Sequence, residues 1–195
     1  MDYRPAIYAY FSQLKHTIDL IDVDELQKAC DCLLKARDEK RFVYTMGNGG
    51  SAATASHWAG DFNKGMSLGR NKRYRFIALN DNQPTMLSLA NDVSYEAVFV
   101  EQLKNFLEPG DVVLAISGSG NSENIVKASI YGKAHGATIV ALTGYDGGKL
   151  DKIADIHLHV PIDNMQVTED LHMVFDHLLM TVLGYGNHPS PQSCK

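Results

Sequence analysis

The chain reads as an α/β protein on an open, doubly wound parallel sheet of five strands, flavodoxin-like in type, preceded by a helical extension. Three observations carry that reading. From Arg41 onward, short apolar runs alternate with amphipathic stretches, as strands separated by helices do. The runs are nearly continuous Val, Ile, Leu and Ala, for example Val112-Val113-Leu114-Ala115-Ile116, which suits strands buried on both faces. Two Gly/Ser-rich stretches follow two of these runs, at the carboxyl ends where such sheets gather ligands.

Residues 1–40 are expected to form two amphipathic helices. Ile7, Phe11, Leu14 and Ile18 recur at helical spacing, and Leu26, Ala29, Cys30, Leu33 and Leu34 do so after the capping candidates Asp22 and Asp24. A parallel sheet does not need this preface, and two apolar stripes at a terminus suit packing against a second copy. Strands are expected at 41–46, 75–79, 111–116, 138–142 and 156–160. Helices are expected at 52–63, 84–91, 95–107, 122–135 and 168–183, the last capped by Thr168. Residues 41–183 thus form the sheet domain, and 184–195, which lacks an apolar period, is expected to be a disordered tail.

At 195 residues and 45% hydrophobic content the chain can bury one sizeable core. A net charge of −5 argues against a nucleic-acid partner, and the short cluster Arg70, Lys72, Arg73 and Arg75 reads as a solvated loop. No apolar run approaches the roughly 20 residues needed to cross a bilayer, so no membrane is expected and the cytoplasm is the expected location. Cys30 and Cys32 point to different faces of one helix and Cys194 lies in the tail; all three should be reduced, with no thiolate zinc site among them.

The richest segment is Ser117-Gly118-Ser119-Gly120-Asn121-Ser122, where a buried strand turns into a helix. A helix start presents unpaired N–H groups and positive dipole ends, glycines admit close approach, and hydroxyls add neutral donors. The loop therefore reads as a cradle for a phosphate monoester. Capping by Ser122 and simple turning by the glycines is the plainer explanation, but a second such loop, Gly47-Asn48-Gly49-Gly50-Ser51, stands beside it in the pattern. Neither loop has the Gly-Lys-Ser/Thr ending or the GxGxxG spacing, so no nucleotide cofactor is expected.

His57 and Asp61 fall four apart on one helix face, and the last helix carries Glu169, Asp170, His172, Asp176 and His177. Imidazole and carboxylate together suit a zinc ion or proton shuttling near neutral pH, and spacing leaves both uses open. Glu169 and His177, eight residues apart, stand about 12 Å apart along an ideal helix. One ion reaches both only if the helix start frays or neighbouring subunits contribute.

The ordered set Gly47 to Ser51, His57, Asp61, Asn91-Asp92, Ser117 to Ser122, Leu142 to Lys149 and Glu169 to His177 resembles the phosphoheptose isomerases, SIS-domain sugar-phosphate isomerases. The likeness runs from the N-terminal helices to about Leu183 and implies a homotetramer whose active sites are lined by more than one subunit. It implies conversion of sedoheptulose 7-phosphate to D-glycero-D-manno-heptose 7-phosphate. By position, Asn48, Gly49, Gly50 and the adjoining Ser51 would meet the sugar, and Asn91 and Asp92 its hydroxyls. Ser117, Gly118, Ser119 and Ser122 would hold the phosphate, and Glu169 would also line the substrate site. The metal or acid–base set falls on His57, Asp61, Glu169 and His177, with Asp61, Glu169 and His177 the catalytic candidates and zinc the candidate ion. Three positions depart from the family pattern: Asp61 replaces a usual glutamate, Glu169 a usual glutamine and Gly118 a frequent threonine, while Lys64 lies near the place of a common arginine. Two other roles fit the same pattern: a non-catalytic SIS module that binds a sugar phosphate or docks on a protein, and an isomerase of another phosphosugar.

Overall fold

The computed structural model describes residues 1–185, with the side chain of Tyr185 left out. Helix α1 (Arg4–Ile18) carries Pro5 in its first turn, and α2 (Val23–Asp38) is capped by Asp22, whose carboxylate accepts from the N–H groups of Asp24 and Glu25. The sheet comprises β1 (Val43–Met46), β2 (Phe76–Ala78), β3 (Val112–Ile116), β4 (Thr138–Thr143) and β5 (Ile156–His159), all parallel, in the order β2-β1-β3-β4-β5. The connecting helices are α3 (Gly50–Gly60), α4 (Gln83–Asp92), α5 (Val100–Phe106), α6 (Glu123–Ala134), α7 (Gly148–Asp151) and α8 (Met165–Tyr185).

Alternation along the strands builds a core on each face. Val112, Leu114 and Ile116 of β3 join α2, α3 and α8 on one side, where Trp58 stacks on Phe62 and Leu171, Phe175 and Leu179 fill the layer. Val113 and Ala115 face α5 and α6 on the other, with Phe99, Leu103 and Ile125. Asp111 fixes the near end of this sheet: its two carboxylate oxygens accept from the N–H groups of Phe42 and Glu108, both at 2.9 Å.

Several expectations need correction. Residues 95–107 do not form one helix: a 3-10 turn at Tyr95–Ala97 precedes α5. The helix expected at 52–63 starts at Gly50 and widens after Gly60 into a π-helical turn, Asp61–Gly65. Thr168 does not cap the last helix, which begins a turn earlier; Asn164 does, accepting from the N–H groups of Gln166 and Val167. Ser122 stands at the cap position of α6 without a capping hydrogen bond from its side chain. Gly184 and Tyr185 continue α8 rather than opening a tail. The rest of the expected tail, with His188 and Cys194, lies outside the described residues; Cys30 and Cys32 are free thiols. Among the described residues no helix is long and apolar enough to cross a membrane.

Replacing Asp111 by Ala leaves two main-chain N–H groups without their acceptor and is expected to cost about 1–3 kcal/mol. Urea unfolding of the two proteins measures the difference, and an unchanged midpoint would contradict the role given to Asp111.

Candidate active site

The strand order reverses between β1 and β3, so the loops after these two strands open side by side at the switch point. In the first loop Gly49 takes a φ of +53°, and a Cβ on Gly47 would stand 2.3 Å from the Ser51 carbonyl oxygen. The Asn48 side chain is held by a reciprocal amide pair with Asn124 of α6, 2.9 Å in each direction, and accepts from the Tyr95 hydroxyl at 2.8 Å. Asn124 is buried, so this pair ties the two loops together. Neither Asn124 nor Tyr95 stood out in the sequence; a lone Asn in a first helical turn looks like any other polar start residue. Asn91 and Asp92 end α4 on the surface, bonded to one another at 2.7 Å, and α4 packs on the 3-10 turn that carries Tyr95.

The serine loop is braced from behind by the segment after β4. Gly144 donates to the Gly118 carbonyl at 2.7 Å, and Leu150 to that of Gly120 at 3.1 Å. Gly120 has a φ of +64°, and a Cβ there would collide with the Gly147 carbonyl oxygen at 2.0 Å. Ser117, buried, donates to the Ser122 hydroxyl at 3.2 Å. Among the described residues, the N–H groups of Gly118, Ser119 and Ser122 have no internal acceptor, which leaves them available to an anion. At Gly118 a Cβ would lie 2.5 Å from Met165 Sδ, so the flexible thioether occupies the space beside this glycine and would have to shift to admit a side chain.

Helix α8 runs past both loops and carries the ionisable groups. Glu169 sits against the first loop, with both its oxygens 2.9 Å from where a Cβ on Gly50 would be. Asp170 points elsewhere and accepts from Tyr10 of α1 at 2.5 Å. His172 is buried beneath β4, its Nε2 3.2 Å from the Thr143 carbonyl oxygen and its Nδ1 without a partner; burial pushes its pKa down to about 4. Two turns beyond Glu169, Asp176 is 0% exposed and neither carboxylate oxygen has a hydrogen-bond partner. Burial, with the charge of Asp61, pushes its pKa up to about 8.

Asp176 and His177 meet His57 and Asp61 of the α3 end. The two imidazoles approach at Nε2···Nε2 3.1 Å. Asp61 Oδ2 lies 3.4 Å from the Nε2 of His57 and 3.8 Å from that of His177, and Asp176 Oδ2 lies 4.0 Å from His57. All four donors fall within 4.8 Å of one another, and Glu169 is not among them. Four donors about 2.0–2.2 Å from one tetrahedral zinc stand roughly 3.3–3.6 Å apart, so a divalent ion fits this set with small side-chain adjustments. The two orphaned oxygens of a buried Asp176 are what such an ion would satisfy. The sequence held a sign of this: Thr168, His172 and Asp176 form a polar row beside the apolar row Val167, Leu171, Phe175 and Leu179, and both rows are buried.

The SIS domain family model matches residues 3–144. Phosphoheptose isomerase from Sulfurimonas denitrificans is 36% identical over 183 residues, 88% of each chain. That from Helicobacter hepaticus is 35% identical over 162 residues, covering 81% of this chain and 80% of the relative. A solved phosphoheptose isomerase from Francisella tularensis superposes with a TM-score of 0.86 at 26% identity, over 94% of this chain and 99% of the other. The chain belongs to the SIS-domain phosphoheptose isomerase family and is an isomerase of the sugar-phosphate type.

The depressed pKa of His172 sets an acid limit on the fold. The unfolded state takes up this proton near pH 6.5 and the folded state only near pH 4, so stability is full above pH 6.5 and lost as pH falls through that window. From pH 7.5 to 5 the loss from this group is about 2 kcal/mol. His172→Gln is expected to flatten that part of the stability profile; a wild-type profile of identical slope would refute the assignment.

Proposed function

We propose that the chain converts sedoheptulose 7-phosphate to D-glycero-D-manno-heptose 7-phosphate through a cis-enediol. The observation that carries the reading is the shared corner at the β1/β3 edge, where two anion-friendly loops adjoin a helix bearing the acids and imidazoles. The names of the relatives support the seven-carbon substrate. Ser117, Gly118, Ser119 and Ser122 take the phosphate through hydroxyls and free N–H groups, and this remote grip positions the reacting end. Asn48, Gly49, Gly50 and Ser51 border the sugar, with Asn91 and Asp92 near its hydroxyls.

A carboxylate, Asp61 or Glu169, removes a C1 proton from the open-chain ketose. The C–H electron pair becomes the C1–C2 double bond as the carbonyl oxygen gains a proton. Delivery of a proton to C2, with loss of the O1 proton, completes the aldose. His177 serves ring opening or proton return. A zinc ion held by His57, Asp61 and His177 would polarise substrate oxygens.

The exposed apolar stripe of Ile7, Phe11 and Ile18 on α1, with Val174, Leu178 and Val182 on α8, supports assembly into a homotetramer whose subunits share these sites. The cytoplasm is the proposed compartment.

Incubation with sedoheptulose 7-phosphate and zinc, followed by NMR, should show the aldose accumulating. His177→Ala should lower kcat by about 10²–10⁴-fold while leaving substrate affinity intact. A lack of turnover would end the catalytic reading, and faster turnover of a hexose or pentose phosphate would end the heptose assignment.

A further inference from the structure

We propose that Asp176, rather than Glu169, completes the metal shell of this chain with His57, Asp61 and His177, leaving Glu169 free beside the sugar loop. The inference rests on the isomerase reading above for the task left to Glu169, and on this chain's own geometry for the rest.

Asp176 is fully buried, and among the described residues both its oxygens lack a donor. A carboxylate in that state is costly unless it is protonated or meets a cation. The groups that face it are the ring of His57, 4.0 Å from Oδ2, and the carboxylate of Asp61, which makes the charged form worse. Among the described residues no Lys or Arg forms an ion pair with Asp176 or Asp61. The arrangement is therefore incomplete as a hydrogen-bond network and complete as a ligand set. Two imidazole nitrogens and two carboxylate oxygens converge within 4.8 Å, the donor types that bind zinc.

Within one chain Glu169 stands apart from this set. It lies eight residues before His177 on the continuous helix α8, about 12 Å along the axis. Its oxygens rest against Gly50, in the loop proposed to border the sugar. Glu169 is thereby placed to touch substrate while Asp176 holds the ion.

The test is zinc titration of metal-free protein by calorimetry, with the wild type, Asp176→Asn, Asp176→Leu and Glu169→Ala, each checked for folding by circular dichroism. Loss of an outer-shell partner alone lowers affinity by about 10–100-fold, so both Asp176 variants are expected to lose at least that much. They should also lose the zinc-induced rise in melting temperature, and Glu169→Ala should keep wild-type affinity. If Asp176→Asn does not fold, Asp176→Leu, which buries no acid, supplies the same readout. Weakened zinc binding in Glu169→Ala with intact binding in the Asp176 variants overturns the proposal, and so does equal affinity throughout or a wild type that takes up no stoichiometric zinc. Turnover of sedoheptulose 7-phosphate separates the two readings. Turnover without bound zinc removes the metal inference and keeps the isomerase. Zinc bound through Asp176 without turnover does the reverse.

Discussion

The parallel pairing of β1 with β3 is the constraint from which the rest follows. Val43 to Met46 run in register with Val112 to Ala115, and every one of these residues is buried. Strands enclosed on both faces must be covered by helices, and the crossovers wind to opposite sides from this pair. The chain therefore leaves β1 and β3 at adjacent points and turns into α3 and α6 there. Two helix starts and two Gly/Ser-rich loops come together with no interaction between them required at the outset. The Asn48–Asn124 amide pair then converts nearness into a fixed distance.

Helix α8 adds the chemistry, because its 21 residues are long enough to pass several stations. Met165 and Thr168 abut the serine loop at Gly118, Glu169 abuts the first loop at Gly50, and His177 reaches His57. The helix holds its rotation through the apolar row Leu171, Phe175 and Leu179 and through the His172 contact to Thr143. A rotation large enough to move Glu169 away from Gly50 would also expose that row. Packing thus fixes the orientation of side chains that packing alone would not need.

Much of this was legible in the sequence, and the limits have physical reasons. Strand positions and both loops were readable because buried parallel strands are uniformly apolar and the loops demand Gly and small polar groups. The pairing of His57 with Asp61 and the acids and imidazoles of the last helix were readable as residue types at helical spacing, and their joining in one set only through the family resemblance. The division of roles along that helix was not. Asp176 looked like one of five polar residues, since burial depends on which neighbours cover a face, and α2, α3 and β4 arrive from distant parts of the chain. The exchange at Gly118 was opaque for the same reason: the sulfur of Met165 that fills the space is 47 residues away. The break between the 3-10 turn and α5 was missed because local propensity favours one helix, while Tyr95 is held by Asn48.

Charge balance gives a reason for the distribution of acids in this chain. A divalent cation with two neutral imidazoles and two aspartates has no net charge, the least costly state for a shell rooted in the helix layer at Asp176. A third carboxylate on the same ion would leave a net negative charge there, and Glu169 would be drawn off its station at Gly50. Asp61, one methylene shorter than the glutamate usual in its place, sits where α3 widens into a π-helical turn, a deformation common at functional sites. From that turn its oxygen is already 3.4 Å from His57 and 3.8 Å from His177, so the shorter side chain is sufficient. Short acids where the ion is proposed and a long acid at the loop match the two distances each would span.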